Sequence, residues 1–183
     1  LLFVTLIAIV MFCAFIYSAP PLRTKRILVA NSLTIAIPRG FVGILATFAI
    51  VGSPWERPFL GIAMVMVVYV LGTNEVRNLP DRVADKKCGI RNLVTVYGPK
   101  RAMQISAVFV VLPYFMILWF VWRGWLTTSA VYLLALIPIG IALLYYMLWK
   151  PEQRKWTENN TAWTIFYFHM MLYMVGFCAI YFM

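Results

Sequence analysis

The sequence predicts an all-α integral membrane protein with about six transmembrane helices, and three observations carry that prediction. Apolar residues make up 63% of the chain and charged residues only 12%, against about 25% charged in a soluble domain. Mean hydropathy is +0.85, and the apolar residues gather in runs near the roughly 20 residues needed to cross a bilayer core. The connections between runs alternate in charge. Connections one, three and five hold thirteen Lys and Arg, whereas two and four hold only Arg57 and Arg123. That asymmetry satisfies the positive-inside rule, with the odd connections facing the cytoplasm.

Taken in order, the spans run over about 1–18, 30–52, 58–77, 100–122, 127–149 and 161–183. Pro20 and Pro21 stop the first. Gly52, Ser53 and Pro54 end the second, and Pro58 suits the opening turn of the third. Pro38, Pro113 and Pro138 fall inside spans and predict kinks there, because a proline withholds one backbone donor. Trp55, Trp122, Trp125, Trp149 and Trp156 lie near span ends, as interfacial anchors do. Connection five carries Lys150, Arg154 and Lys155, and the last span should finish on the outer side at Met183. One domain over 1–183 is expected, because no linker or low-complexity segment divides the chain. The chain starts at Leu1, already within an apolar run, which reads as a segment whose beginning lies out of view, not as a signal peptide.

A net charge of +10 does not point to nucleic acid, because the cations are spread over one set of connections instead of forming a stripe. Cys13, Cys88 and Cys178 share no metal-ligand spacing and predict buried free thiols without a disulfide framework.

Chemistry concentrates at the end of the third span, in Asn78-Leu-Pro-Asp81-Arg-Val-Ala-Asp85-Lys-Lys-Cys-Gly89. Two of the six acidic residues stand here one helical turn apart, on the same face if the helix continues through them. Asn78 and Asn74 extend that face backwards. Mg²⁺ takes octahedral oxygen ligands, commonly one or two carboxylates plus substrate phosphate, so the group suits half of a metal–diphosphate site. The first connection, Tyr17-Ser-Ala-Pro-Pro-Leu-Arg23-Thr-Lys25-Arg26, brings three cations to the same membrane face. A diphosphate leaving group needs such charge. The competing reading is a solvated loop in which Asp81 and Asp85 pair with neighbouring Arg and Lys.

Tyr-Ser-x-Pro-Pro-x-Arg-x-Lys, followed two spans later by Asn78-x-x-Asp81-x-x-x-Asp85-x-x-x-Gly89-Ile-Arg-Asn-Leu and Tyr97-Gly98, resembles the UbiA superfamily of intramembrane prenyltransferases. The resemblance covers essentially the whole chain. It implies a bundle of nine helices, of which these six would be the fourth to ninth. It also implies Mg²⁺ as cofactor, a prenyl diphosphate and a lipophilic acceptor as substrates, and an apolar tunnel open to the bilayer. Asn78, Asp81 and Asp85 would bind metal, with Asp81, Asp85 and Tyr17 at the reacting centre. Arg23 and Lys25 would hold the diphosphate, and Asn74 would contribute one turn deeper. Asn78 stands where the family usually has Asp. The family's first Asp-rich motif has no counterpart here, so it would come from preceding N-terminal helices or from another chain.

Arg39, mid-span beside Gly40, faces either a cavity and its substrate or a structural partner such as Glu75. The Pro38-Arg39-Gly40 neighbourhood resembles the Arg-Gly pair of the homogentisate-type branch and leans toward aromatic acceptors. Glu75 is expected to pair with Arg77 or Arg39, or to orient an acceptor. Asn31 would cap the second span or reach the site. His169, the only histidine, is expected to be a helix-contact residue and not a catalytic base. Two functions compete: Mg²⁺-dependent prenyl transfer, and a non-catalytic UbiA-like subunit for assembly or lipid binding. A transporter has less support, since the ionisable residues form no path across the bilayer and no internal repeat stands out.

Overall fold

The computed structural model of this chain describes residues 1–152, 156–157 and 160–182. Arg154, Lys155 and Met183, named above for charge and orientation, lie outside the described residues. The elements are α1 (Leu2–Ser18), a 3₁₀ turn (Thr24–Arg26), α2 (Leu28–Ala36), a π-helical segment (Ile37–Val42), α3 (Gly43–Val51), α4 (Arg57–Lys87), α5 (Leu93–Trp122), a 3₁₀ segment (Thr128–Leu136), α6 (Ile137–Leu148) and α7 (Thr161–Phe182). Five continuous helical stretches are long and apolar enough to cross a membrane, and α1 is a shorter apolar helix. The protein is an all-α, multi-pass integral membrane protein, as its hydropathy predicts.

The prolines act differently from one another. Pro38 cannot donate to the carbonyl one turn back, and the widened π turn around it absorbs that loss without ending the helix. Pro138 begins α6, at the junction with the 3₁₀ segment, so the fifth span is built from two pieces. Pro113 does not break α5. The non-helical dihedrals in α5 fall instead at Gly98, with φ 80° and ψ 164°. Pro99 excludes its predecessor from the helical region, and only glycine takes that positive φ without strain.

Helix α4 is the central element, with a long run of buried residues from Gly61 to Leu79. Lipid supplies no hydrophobic drive between helices, so close packing at small residues holds them together. A Cβ on Gly72 would lie 2.7 Å from the Phe109 and Val110 backbone of α5. One on Gly40 would overlap the α4 backbone at Val67 and Met66, so the π segment lies directly against α4. Around this spine Leu45, Met66, Met103, Ile117 and Phe177 fill the core. Phe12, Phe15, Phe115, Trp119 and Ile141 point outward, as a lipid-facing surface requires. Trp55, Trp122 and Trp149 are also exposed, while Trp125 stacks on Phe120. The cysteines depart from expectation. All three are free, but Cys13 is only half-buried, and Cys88 and Cys178 are exposed.

Candidate functional site

Helix α4 does continue through the charged stretch, ending only at Lys87 despite Pro80. Its end is closed by Gly89, at φ 70°, while the Ile90 N–H donates to the Asp85 carbonyl at 2.9 Å. A left-handed glycine with this bond pattern is a standard helix stop. The chain then turns into Asn92, the N-cap of α5. Its side-chain oxygen accepts from the Thr95 N–H at 2.8 Å, and the Thr95 hydroxyl accepts from the Asn92 N–H at 2.9 Å, a reciprocal capping box.

That cap reaches into the site. The Asn92 Nδ2 donates to Asp85 Oδ2 at 2.9 Å, so α5 fixes the second carboxylate of α4. The first connection docks on the same corner. The Lys25 carbonyl accepts from the Arg91 N–H and from Asn31 Nδ2, each at 3.0 Å. Asn31, buried in α2, therefore fastens the loop and does not cap its helix.

Beside this corner opens a cavity of about 380 Å³. Tyr17 of α1, Arg39 of the π segment and Asn74, Asn78, Asp81 and Asp85 of α4 all line it. Six of the residues proposed from sequence thus meet in one place. Arg23 and Lys25 do not line it. Arg23 adopts φ 39° and donates from Nε to the Ser18 carbonyl at 3.3 Å. Lys25 acts on the cavity at longer range, as an attractive charge for the Asp85 carboxylate. Arg77, which the sequence suggests only as a partner for Glu75, is part of the wall.

Asn74 is 5% exposed, and its Nδ2 has no hydrogen-bond partner among the described residues. A buried amide donor left unmatched is costly, and this one borders the cavity. Glu75 is not paired with Arg77 or Arg39 by a hydrogen bond. Its carboxylate accepts from Ser32 Oγ at 3.4 Å, Asn78 Nδ2 at 3.2 Å and the Val94 N–H at 3.4 Å. Because Glu75 takes the Asn78 nitrogen, the amide oxygen is left for the cavity. Two carboxylates and that oxygen form a hard donor set that fits Mg²⁺ with a phosphate ligand. Among the described residues no three of His, Cys, Asp and Glu cluster as a complete cage.

A second cavity, of about 540 Å³, adjoins the first and shares Val10, Pro38 and Arg39 with it. Ile44, Met66, Val70, Phe166 and Met170 make it largely apolar. Arg39, exposed at the shared wall, stands where polar and apolar spaces meet.

His169 lies elsewhere. It is fully buried, with Nδ1 3.0 Å from the Tyr69 hydroxyl and Nε2 3.0 Å from the Tyr114 hydroxyl. It ties α4, α5 and α7 together, as expected of a helix-contact residue. Sequence reading did not single out Asn92. Its signal was present as Asn-x-x-Thr ahead of an apolar run, an N-cap pattern.

The sequence pattern of the UbiA prenyltransferase family matches residues 1–171. Among curated proteins, a probable chloroplastic homogentisate phytyltransferase 2 of Oryza sativa subsp. japonica is 28% identical over 172 residues, 86% of this chain and 45% of that protein. A chloroplastic homogentisate solanesyltransferase of Arabidopsis thaliana is 30% identical over 175 residues, 86% of this chain and 44% of that protein. A lycopene elongase/hydratase of Halobacterium salinarum is 28% identical over 130 residues, 71% of this chain and 40% of that protein. The chain thus spans less than half the length of these relatives. No solved structure matches it significantly.

Proposed function

The chain belongs to the UbiA prenyltransferase family, and on that premise we propose that it transfers a prenyl group from a prenyl diphosphate to a lipophilic acceptor within the membrane. The observation that carries the reading is the paired cavity. A polar chamber holding Asp81, Asp85, Asn78 and Tyr17 opens beside an apolar one of a size suited to a hydrocarbon chain. The polar chamber would face the cytoplasm, and the C-terminus would lie on the opposite side.

A divalent cation such as Mg²⁺, when bound with the diphosphate, would draw negative charge from the breaking bond. The oxygens of Asp81, Asp85 and Asn78 would hold that ion. Further carboxylates, such as those of the family's first Asp-rich motif, would come from outside these residues. Arg77, at the cavity wall, and Lys25, whose charge reaches Asp85, oppose the charge that builds on the departing diphosphate. As the C1–O bond breaks, the electron pair leaves with the diphosphate. A nucleophilic carbon or oxygen of the acceptor then bonds to C1 and gives up its proton. The apolar chamber positions the prenyl chain and excludes water, which would otherwise capture C1. Arg39 and the unpaired Asn74 amide are placed to meet polar atoms of the substrates. The homogentisate-named relatives support an aromatic acceptor.

The direct test is turnover of labelled farnesyl or geranylgeranyl diphosphate with candidate acceptors by the purified full-length protein. Transfer should need a divalent metal and fall more than about a hundredfold in Asp81→Ala and Asp85→Ala, as when one transition-state contact is removed. Wild-type turnover in both variants would sink the assignment. The second reading, a non-catalytic subunit, is favoured only by the incomplete carboxylate set. It predicts no turnover with any acceptor while prenyl lipid still binds.

A further inference from the structure

We propose that Glu75 is a positioning residue that dictates the identity and orientation of residue 78, so that the two form a matched pair. The inference rests on the metal–diphosphate reading above. Glu75 is 1% exposed, and a carboxylate so deeply buried must be fully hydrogen-bonded. Its partners are neutral donors on three elements: Ser32 of α2, the Val94 N–H in the first turn of α5 and the Asn78 amide of α4 itself.

Of these donors only Asn78 lines the polar cavity. An amide has one donating end and one accepting end. With Nδ2 held by Glu75 at 3.2 Å, the oxygen is the end of the amide left free for a ligand in the cavity that Asn78 lines with Asp81 and Asp85. A carboxylate at 78 could not make this bond. It would offer an oxygen where Glu75 already offers one, and two like charges would face each other at hydrogen-bond distance. The asparagine is therefore the residue that a buried glutamate three positions earlier demands. Glu75 backs the site from the buried side of this turn, and position 78 supplies a neutral ligand.

A double-mutant cycle tests the pairing by a readout independent of turnover. Binding of Mn²⁺ to the full-length protein with inorganic diphosphate is followed by electron paramagnetic resonance, together with the thermal unfolding midpoint. Asn78→Asp should weaken Mn²⁺ binding about tenfold or more, despite the added charge, through coupling of two touching groups. Asn78→Ala, which removes the donor without adding repulsion, should lie between that variant and wild type. In Glu75→Gln/Asn78→Asp the new amide can donate to the new carboxylate, and binding should return to within about threefold of wild type. If Asn78→Asp does not fold, recovery of folding in the double variant supports the pairing equally.

Binding by Asn78→Asp at or above wild type, or losses that simply multiply in the double variant, overturns the proposal. So does a double variant that stays unfolded. Asp81→Ala separates the two levels of inference. If it leaves Mn²⁺ binding intact, the metal reading itself falls and the pairing with it. If it abolishes binding while the cycle is additive, only the role of Glu75 falls.

Discussion

Helix α4 carries two polar groups of opposite character, about one turn apart: one fully buried, the other running from buried Asn74 to exposed Asp81 and half-buried Asp85. At Tyr69 the polar atoms satisfy one another. Both ring nitrogens of His169 meet tyrosine hydroxyls, Tyr69 also reaches the Phe166 carbonyl at 3.3 Å, and Tyr114 reaches the Leu136 carbonyl at 3.1 Å. Only the Tyr173 hydroxyl, at its edge, lacks a partner among the described residues. From Asn74 to Asp85 the polar side chains line a cavity: Asn78 and Asp85 are each held by one neighbour, and Asn74 Nδ2 has no partner among the described residues. A closed network fastens helices, whereas a supported but open one can bind something. The difference separates a structural histidine from candidate ligands where both are equally polar.

The loss of transfer in Asp81→Ala and Asp85→Ala is the largest effect expected from this contrast. Asp81→Ala should show it with little change in unfolding temperature, because that side chain is exposed at the cavity. Asp85→Ala also strips the buried Asn92 amide of its acceptor and should lower the midpoint. His169→Phe should do the reverse. It leaves two hydroxyls short of a partner, and interhelical hydrogen bonds in membranes contribute about 1–2 kcal/mol at most. A lowered unfolding midpoint in detergent, with Mn²⁺–diphosphate binding retained, is the expected outcome. Loss of that binding would break the contrast, since the histidine would then belong to the site.

Asn92 stands between the two classes and gives the smallest effects. Asn92→Ala should cost about 1 kcal/mol of stability through the lost cap and also weaken metal binding through Asp85. Asn92→Asp keeps the cap acceptor for Thr95 but gives up the donor to Asp85. It also sets a second carboxylate against Asp85, so its metal binding and its unfolding midpoint should both fall. Equal midpoints in wild type and Asn92→Ala would show that the cap contributes nothing.

Much of this arrangement was legible in the sequence. Hydropathy located the spans, and the four-residue spacing of Asp81 and Asp85 placed both on one face of a continuing helix. What escaped depends on long-range packing. Pro38 announced a disturbance, which takes the form of a π turn, but no local pattern encodes how closely Gly40 in that turn lies against α4. Pro113 announced another, which Pro99 and Gly98 produce instead. Glu75 was expected to seek a cation. It found neutral donors, because the first turn of α5, distant in sequence, packs against it. Arg23 was expected at the cavity, but its backbone conformation turns it toward the Ser18 carbonyl.

The central claim is that the polar and apolar cavities form one path for a single amphipathic substrate. A prenyl diphosphate bearing a photoreactive group at its hydrocarbon tail tests this directly, with labelled residues located by mass spectrometry. Labelling is expected in the apolar cavity, in α4 near Met66 and Val70 and in α7 near Phe166 to Met174. That labelling should disappear in Asp81→Ala/Asp85→Ala and on competition with unlabelled prenyl diphosphate. Labelling confined to the outward lipid-facing side chains, or unchanged when both carboxylates are removed, would contradict it.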